Sequence, residues 1–450
     1  MKRHLLVGTM GAKDKPAIDT GTDEARSDVQ LLNVGGIAYG IQTALNDLRK
    51  LDLVPDEIGI DLLILGALVY AADTRISRAT EAQDGWTREI RIVLPVSDVA
   101  AWKRARPIVI RALGFLSGDR WSIEFRKRPA GKERLAGTVP TPLLQTDLLG
   151  VNLFSGGLDS LIGAIDSLTK DEKPLLVSHA GEGAGSRAQY LCHAELKARF
   201  PKRHFEWVRL PMVFAHDLAD GVGSETSTRA RSFLFFAFGV AAGTALRRRF
   251  ELKVPENGLI ALNVPLDPLR LGALSTRTTH PFYMARWIEL VAALGIDGSL
   301  ANPYWAMTKG EMVEACTDKA FLLSIAGKSI SCSSPAKLRW ARQAQGHCGY
   351  CLPCLIRRAS IPDGDPTEYY LTDMKRRALN SAEAEGVQVR SFQLAIARLR
   401  ARPELAKVLI HKPGPLYDHG IDDQAEMAGV YARGLEEVGR LLDGVRTKPK

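Results

Sequence analysis

Phe154-Ser155-Gly156-Gly157-Leu158-Asp159-Ser160 is the stretch that decides how this chain folds. Val151 and Leu153 ahead of it read as a strand, and Leu161, Ile162, Ile165 and Leu168 behind it fall at helical spacing. A strand, a glycine-rich turn and a helix in that order form a cradle for an anion. Adjacent glycines let backbone N–H groups approach the ligand, and the helix opening near Leu158 adds its positive dipole end. Ser155 and Ser160 supply hydroxyl donors, and Asp159 is placed to hold Mg2+ against phosphates. The kinase-type pattern G-x-x-x-x-G-K-[ST] is absent from the chain, so the cradle belongs to a different nucleotide chemistry.

Outward from the heptad, short apolar runs alternate with helix-length segments. Val151 to Phe154, Leu175 to Val177, Trp207 to Leu210 and Leu259 to Leu262 read as strands; Ala188 to Phe200, Arg231 to Leu246 and Tyr283 to Leu294 read as helices. The alternation predicts an α/β domain, a parallel sheet with helices on both faces and ligands at the carboxyl ends of its strands. Upstream, helices around Ile41 to Leu51, Asp61 to Asp73 and Pro107 to Leu116, with alternating Ile90 to Val96 and Trp121 to Phe125, suggest a small α+β domain over 1–127. Trp86 and Trp121 are expected in its packing. Pro129, Pro140 and Pro142 mark a linker over 128–147. The second domain is expected over 148–361, and a helical extension over 362–450 with helices at Thr367 to Ser381, Val389 to Leu399 and Ala425 to Leu442.

The 450 residues suit two or three domains at about 100–200 residues each. No apolar run approaches the ~20 residues of a membrane helix, and the N-terminus lacks a signal-peptide core, so a cytoplasmic protein is expected. A net charge of +9 permits an anionic partner such as nucleic acid, but the basic clusters at 126–128, 247–249 and 375–377 are scattered and read as solvated faces. In a reducing compartment, Cys332, Cys348, Cys351 and Cys354 point to metal. Four thiolates in clustered spacing suit tetrahedral zinc in a closed, structural site, with an iron–sulfur cluster as the rival. Cys192 and Cys316 read as buried apolar residues.

The heptad matches the SGGxDS signature of the PP-loop ATP pyrophosphatases, and its pairing with the downstream C…CxxCxxC loop resembles the QueC-like family, the 7-cyano-7-deazaguanine synthases and their relatives. Arg231-Ser232-Phe233 and Lys309-Gly310-Glu311-Met312-Val313 are similar to two further family segments, although the family's Arg-Asn is Arg231-Ser232 here. The resemblance spans about half of the chain. Glu256-Asn257-Gly258 before the fourth strand and Arg277-Thr278-Thr279-His280-Pro281 after it resemble the longer QueC-like proteins of Qat anti-phage defence systems.

This resemblance implies a HUP-like PP-loop domain and a C–N bond-forming ligase. Phe154 to Ser160 would bind ATP, with Ser155, Asp159, Ser160, Arg231 and Lys309 catalytic, and Mg2+ and Zn2+ as cofactors. The reaction implied is adenylation of a carboxylate, 7-carboxy-7-deazaguanine or similar. Ammonia, or the terminus of a protein partner from the same operon, then takes the acyl group as an amide, or the product goes on to a nitrile. Asp159→Ala is expected to abolish turnover and leave the fold intact. A tRNA base-modifying enzyme and a non-catalytic nucleotide-binding scaffold are the alternatives. The Gly181 to Ser186 run after the second strand reads as a flexible loop, the alternative being an approach to the adenine or substrate, and His280 as either a helix start or a site residue.

Overall fold

The apolar alternation closes into two parallel sheets in the computed structural model, which describes residues 3–83, 85–136, 146–181, 183–219, 223–225, 227–266, 277–342 and 344–449. The first sheet holds β1 (Arg3–Thr9), β2 (Glu24–Gln30), β3 (Glu89–Val96) and β4 (Arg120–Lys127) in the order β2-β1-β3-β4. Every pairing is parallel, so the first unit is α/β and not the expected α+β. Parallel neighbours need crossovers, and α1 (Ile41–Arg49), α2 (Glu57–Arg75) and α3 (Val99–Ser117) lie along them. β3 is correspondingly buried on both faces from Ile92 to Val96, beyond what a half-buried strand requires.

The second sheet contains β5 (Gly150–Leu153), β6 (Pro174–His179), β7 (Glu206–Leu210), β8 (Phe250–Lys253) and β9 (Gly298–Ala301), all parallel, in the order β9-β8-β5-β6-β7. After β5 the chain builds outward to β7, then returns to the other side of β5 to add β8. The strand order therefore reverses between β5 and β8, and a crevice opens there at the carboxyl ends. The heptad follows β5, and Glu256-Asn257-Gly258 follows β8. The helices here are α4 (Leu158–Thr169), α5 (Ala184–Arg199), α6 (Arg231–Thr244), α7 (Gly258–Leu262), α8 (Pro281–Ala293) and α9 (Lys309–Ala315).

Two expectations fail in this region. Leu259 to Leu262 is a helix, because the Asn257 side chain accepts the Ile260 N–H at 3.1 Å and caps it. The fourth strand is instead Phe250–Lys253, so Glu256 follows that strand and does not precede it.

A continuous apolar core runs through both sheets. Its seam is α2 against α6: Gly66 lets the helices approach until an added Cβ would lie 2.9 Å from Ala237 Cβ. The expected linker begins with an anchored residue, since Arg128 is buried and pairs with Glu57 and Asp61 of α2; residues 137–145 lie outside the described residues. The extension builds α11 (Ala384–Ala401) and α12 (Ile421–Leu441), which share a second core with α7 and with α10 (Leu352–Ser360) of the second domain. Thr367 to Ser381 is not helical: Tyr370 and Leu371 donate N–H groups to His347 and Cys348 carbonyls, tying that segment to the cysteine loop. Among the described residues no helix is long and apolar enough to cross a membrane.

Candidate functional site

The turn after β5 is shaped by its own side chains. Gly156 has φ +80°, and an added Cβ would lie 2.9 Å from the Gln189 backbone N and 3.1 Å from the Gly185 carbonyl, so only glycine fits. The Ser155 hydroxyl accepts the Gly157 N–H at 3.2 Å and lies 3.2 Å from the Ser160 hydroxyl. No side chain caps α4 at Gly157. The N–H groups of Leu158, Asp159 and Ser160 thus lack intrahelical acceptors and lie at the positive end of the helix.

Three loops meet on Asp159. Its Oδ1 lies 2.7 Å from Lys309 Nζ, and its Oδ2 accepts the backbone N–H of Asn257 at 3.2 Å and the Asn257 side-chain N–H at 2.8 Å. Lys309 opens α9 behind Thr308, whose capping box with Glu311 closes the helix start. The last helix braces this arrangement. Glu437 of α12 accepts the Thr308 hydroxyl and, at 3.2 Å, the Gly310 N–H, while Arg433 pairs with Glu311 at 2.6 Å. A Cβ on Gly310 would fall 2.5 Å from Glu437 Oε1, so glycine is required for that grip.

All three loops face a cavity of about 1070 Å3, through the turn after β5, Glu256 and Lys309. Phe154, Ser155, Gly157, Leu158, Asp159, Ser160, Arg231 and Lys309 all line it, so the expected site residues are brought together, with Gly156 supporting the turn from behind. Gly181, Gly183, Ala184, Gly185 and Ser186 line it too. The run read as a flexible loop instead leads into the first turn of α5, and Glu182 lies outside the described residues. His280 is absent from the lining. It caps α8, its Nδ1 accepting the Phe282 N–H at 3.2 Å, and burial pushes its basicity down to about 3.

The first unit supplies part of the wall's support. Asp73 at the end of α2 accepts the Ala230 N–H at 2.7 Å, just ahead of Arg231, and is itself held by Arg88 at 3.1 Å. Arg88 and Arg78 share Asp119 at 2.7 and 2.6 Å, all of this buried. Arg229, another cavity cation, lies 4.2 Å over the Trp86 ring, so Trp86 packs at the interface between the units. His179, at the end of β6, sits between the Tyr70 and Phe235 rings, its basicity lowered to about 4 first by burial and then by Arg231.

Cys332, Cys348, Cys351 and Cys354 have their sulfurs within 4.8 Å of one another, with Cys332–Cys351 at 3.8 Å and Cys348–Cys354 at 4.0 Å. Sulfurs ~2.3 Å from a shared ion in tetrahedral array stand about this far apart, so this group could hold a metal ion. The Cys351 N–H donates to the Cys348 sulfur at 3.3 Å, support that favours the thiolate. Cys332 and Cys351 also line the cavity, so the cysteine group is part of its wall. Cys192 and Cys316 are buried, outside the group.

Arg229, His179 and Glu437 escape sequence reasoning, because each is joined to the heptad only through the strand crossover or the packing of α12, and the Glu256-Asn257-Gly258 segment does not by itself announce Asn257 as the partner of Asp159. Asn257 carried one local signal, an Asn ahead of a short apolar run, which is a helix-cap pattern. No protein-family model and no curated protein matches the chain.

Proposed function

We propose that this chain is a QueC-like ATP pyrophosphatase that adenylates a carboxylate and passes the acyl group to an amine, a C–N ligase. The observation that carries the reading is the meeting of a Ser-Gly-Gly turn, an uncapped helix start, Arg231 and Lys309 in one cavity large enough for a nucleotide and a second small molecule. A carboxylate oxygen attacks the α-phosphorus, and pyrophosphate leaves with growing negative charge. The N–H groups of Leu158 to Ser160 that open the helix, with Arg231 in the cavity wall, stand ready for that charge, and fixed donors of this kind need little reorganisation, whereas Lys309 and the Ser160 hydroxyl turn from partners within the site.

Lys309 reaches a phosphate by turning away from Asp159, which frees that carboxylate for Mg2+. A bound Mg2+ supplies further neutralisation of the leaving group. Cys332, Cys348, Cys351 and Cys354 would hold zinc in a structural role, which would fix the cavity wall. The resemblance supports 7-carboxy-7-deazaguanine or a similar deazapurine acid as substrate. It also supports a role in anti-phage defence, with ammonia or a partner protein's terminal amine as acceptor. Incubation with ATP and a panel of such acids, followed by nucleotide analysis, tests this: AMP and pyrophosphate in an acid-dependent yield are expected, and ADP with phosphate, or intact ATP throughout, would refute it.

A further inference from the structure

We propose that Glu256 is the proton acceptor of the acyl-transfer half of the reaction, taking the proton an amine must lose as it attacks the activated carboxyl carbon. This assignment rests on the adenylation reading above. Glu256 lines the cavity from the loop between β8 and α7. Its backbone is pinned on both sides by Asn302, which accepts its N–H at 3.2 Å and donates to its carbonyl at 2.7 Å. One carboxylate oxygen accepts the Thr279 hydroxyl. Among the described residues no cation forms an ion pair with it.

The other titratable groups around the cavity are committed elsewhere. Asp159 is paired with Lys309, or is taken by Mg2+ once Lys309 turns to the phosphates, and is doubly hydrogen-bonded by Asn257. His179 is too weak a base beside Arg231. Cys332 and Cys351 belong to the four-sulfur group, Lys337 lies 4.5 Å over the Tyr350 ring, and Arg229 and Arg231 cannot accept a proton. The charged groups facing Glu256 are Asp159 from α4 and Lys309 from α9. Burial is the largest influence and Asp159 acts with it, against Thr279 and Lys309, so the carboxyl is raised to about 7. A base with that affinity is half ionised at neutral pH, where general-base catalysis is most effective.

The step balances. The neutral amine nitrogen bonds to the acyl carbon, the bond from that carbon to the AMP oxygen breaks with its electron pair leaving on AMP, and the surplus N–H proton passes to the Glu256 carboxylate. The two halves can be measured apart. Acid-dependent exchange of labelled pyrophosphate into ATP reports adenylation, and amide formation with ammonium reports transfer. Glu256→Gln is expected to cut amide formation roughly 10²–10⁴-fold and exchange far less, and to lose the extra steepening below about pH 7 that is expected of the wild type beyond the fall in free ammonia common to both. Glu256→Asp is expected to recover part of the transfer rate. Amide formation by the Gln variant at the wild-type rate overturns the assignment. So does a loss of exchange that parallels the loss of amide, or a shifted Mg2+ requirement for exchange, either of which makes Glu256 part of the nucleotide or cation site. Absence of exchange in the wild type with every acid sinks the adenylation reading itself and this assignment with it.

Discussion

Lys309→Met removes the charge opposite Asp159 while keeping most of the stem that fills the site. The Lys309 side chain is 3% exposed and that of Asp159 is 12% exposed, so the carboxylate would be left buried beside a missing partner. Breaking a buried pair from one side costs about 3–5 kcal/mol. The two Asn257 N–H donors remain and the cavity admits water, which places the cost near the lower end, about 3 kcal/mol. Asp159→Asn strands the lysine in the same way. Removing both charges leaves neither stranded, so the double variant should lose about 2–3 kcal/mol less than the sum of the singles. Urea denaturation of the four proteins at fixed salt gives the cycle directly. Single losses that add to within ~0.5 kcal/mol would refute the coupling. By the same reasoning Asp159→Ala costs stability as well as turnover, which revises the expectation that it leaves the fold intact.

The four-cysteine group is expected to hold about one zinc per chain, and Cys351→Ser to lose it and loosen α10, read by elemental analysis and limited proteolysis; iron with acid-labile sulfide would contradict the zinc assignment. Glu437→Ala leaves the Thr308 hydroxyl and the Gly310 N–H without their acceptor, about 1–3 kcal/mol for each group. Pyrophosphate release should drop at least tenfold in kcat as Lys309 loses its fixed position, with a smaller loss in Glu437→Gln; unchanged kcat would show that α12 does not brace the site. Gly156→Ala forces a side chain into a φ of +80° and against the Gln189 backbone, and calorimetry should show nucleotide affinity weakened tenfold or more, with unchanged affinity as the opposing result.

What the sequence disclosed and what it hid follow from the range of the interactions involved. The heptad is legible because strand, turn and helix start are consecutive and each obeys local chemistry. The second strand of the first sheet, Glu-Ala-Arg-Ser-Asp-Val-Gln, is polar because it lies at a sheet edge, so no apolar rhythm announces it. The strand Phe250–Lys253 has four residues behind Arg247-Arg248-Arg249, with Arg247 at φ 52°, too little pattern to outweigh the charge. The parallel pairing of the first sheet depends on which strands become neighbours, a property of the whole chain. The support for the site is more distant still. Asp73 reaches Ala230 from the first unit and Glu437 reaches Gly310 from the last helix, contacts that leave no trace in local spacing.

A structure of the protein with an ATP analogue that resists cleavage between the α and β phosphates tests the central claim most directly. The β and γ phosphates are expected in the turn between Ser155 and Ser160, against the N–H groups that open α4, with Lys309 turned from Asp159 toward them. A nucleotide bound elsewhere, or a turn left empty at saturating analogue with Lys309 still on Asp159, would contradict it.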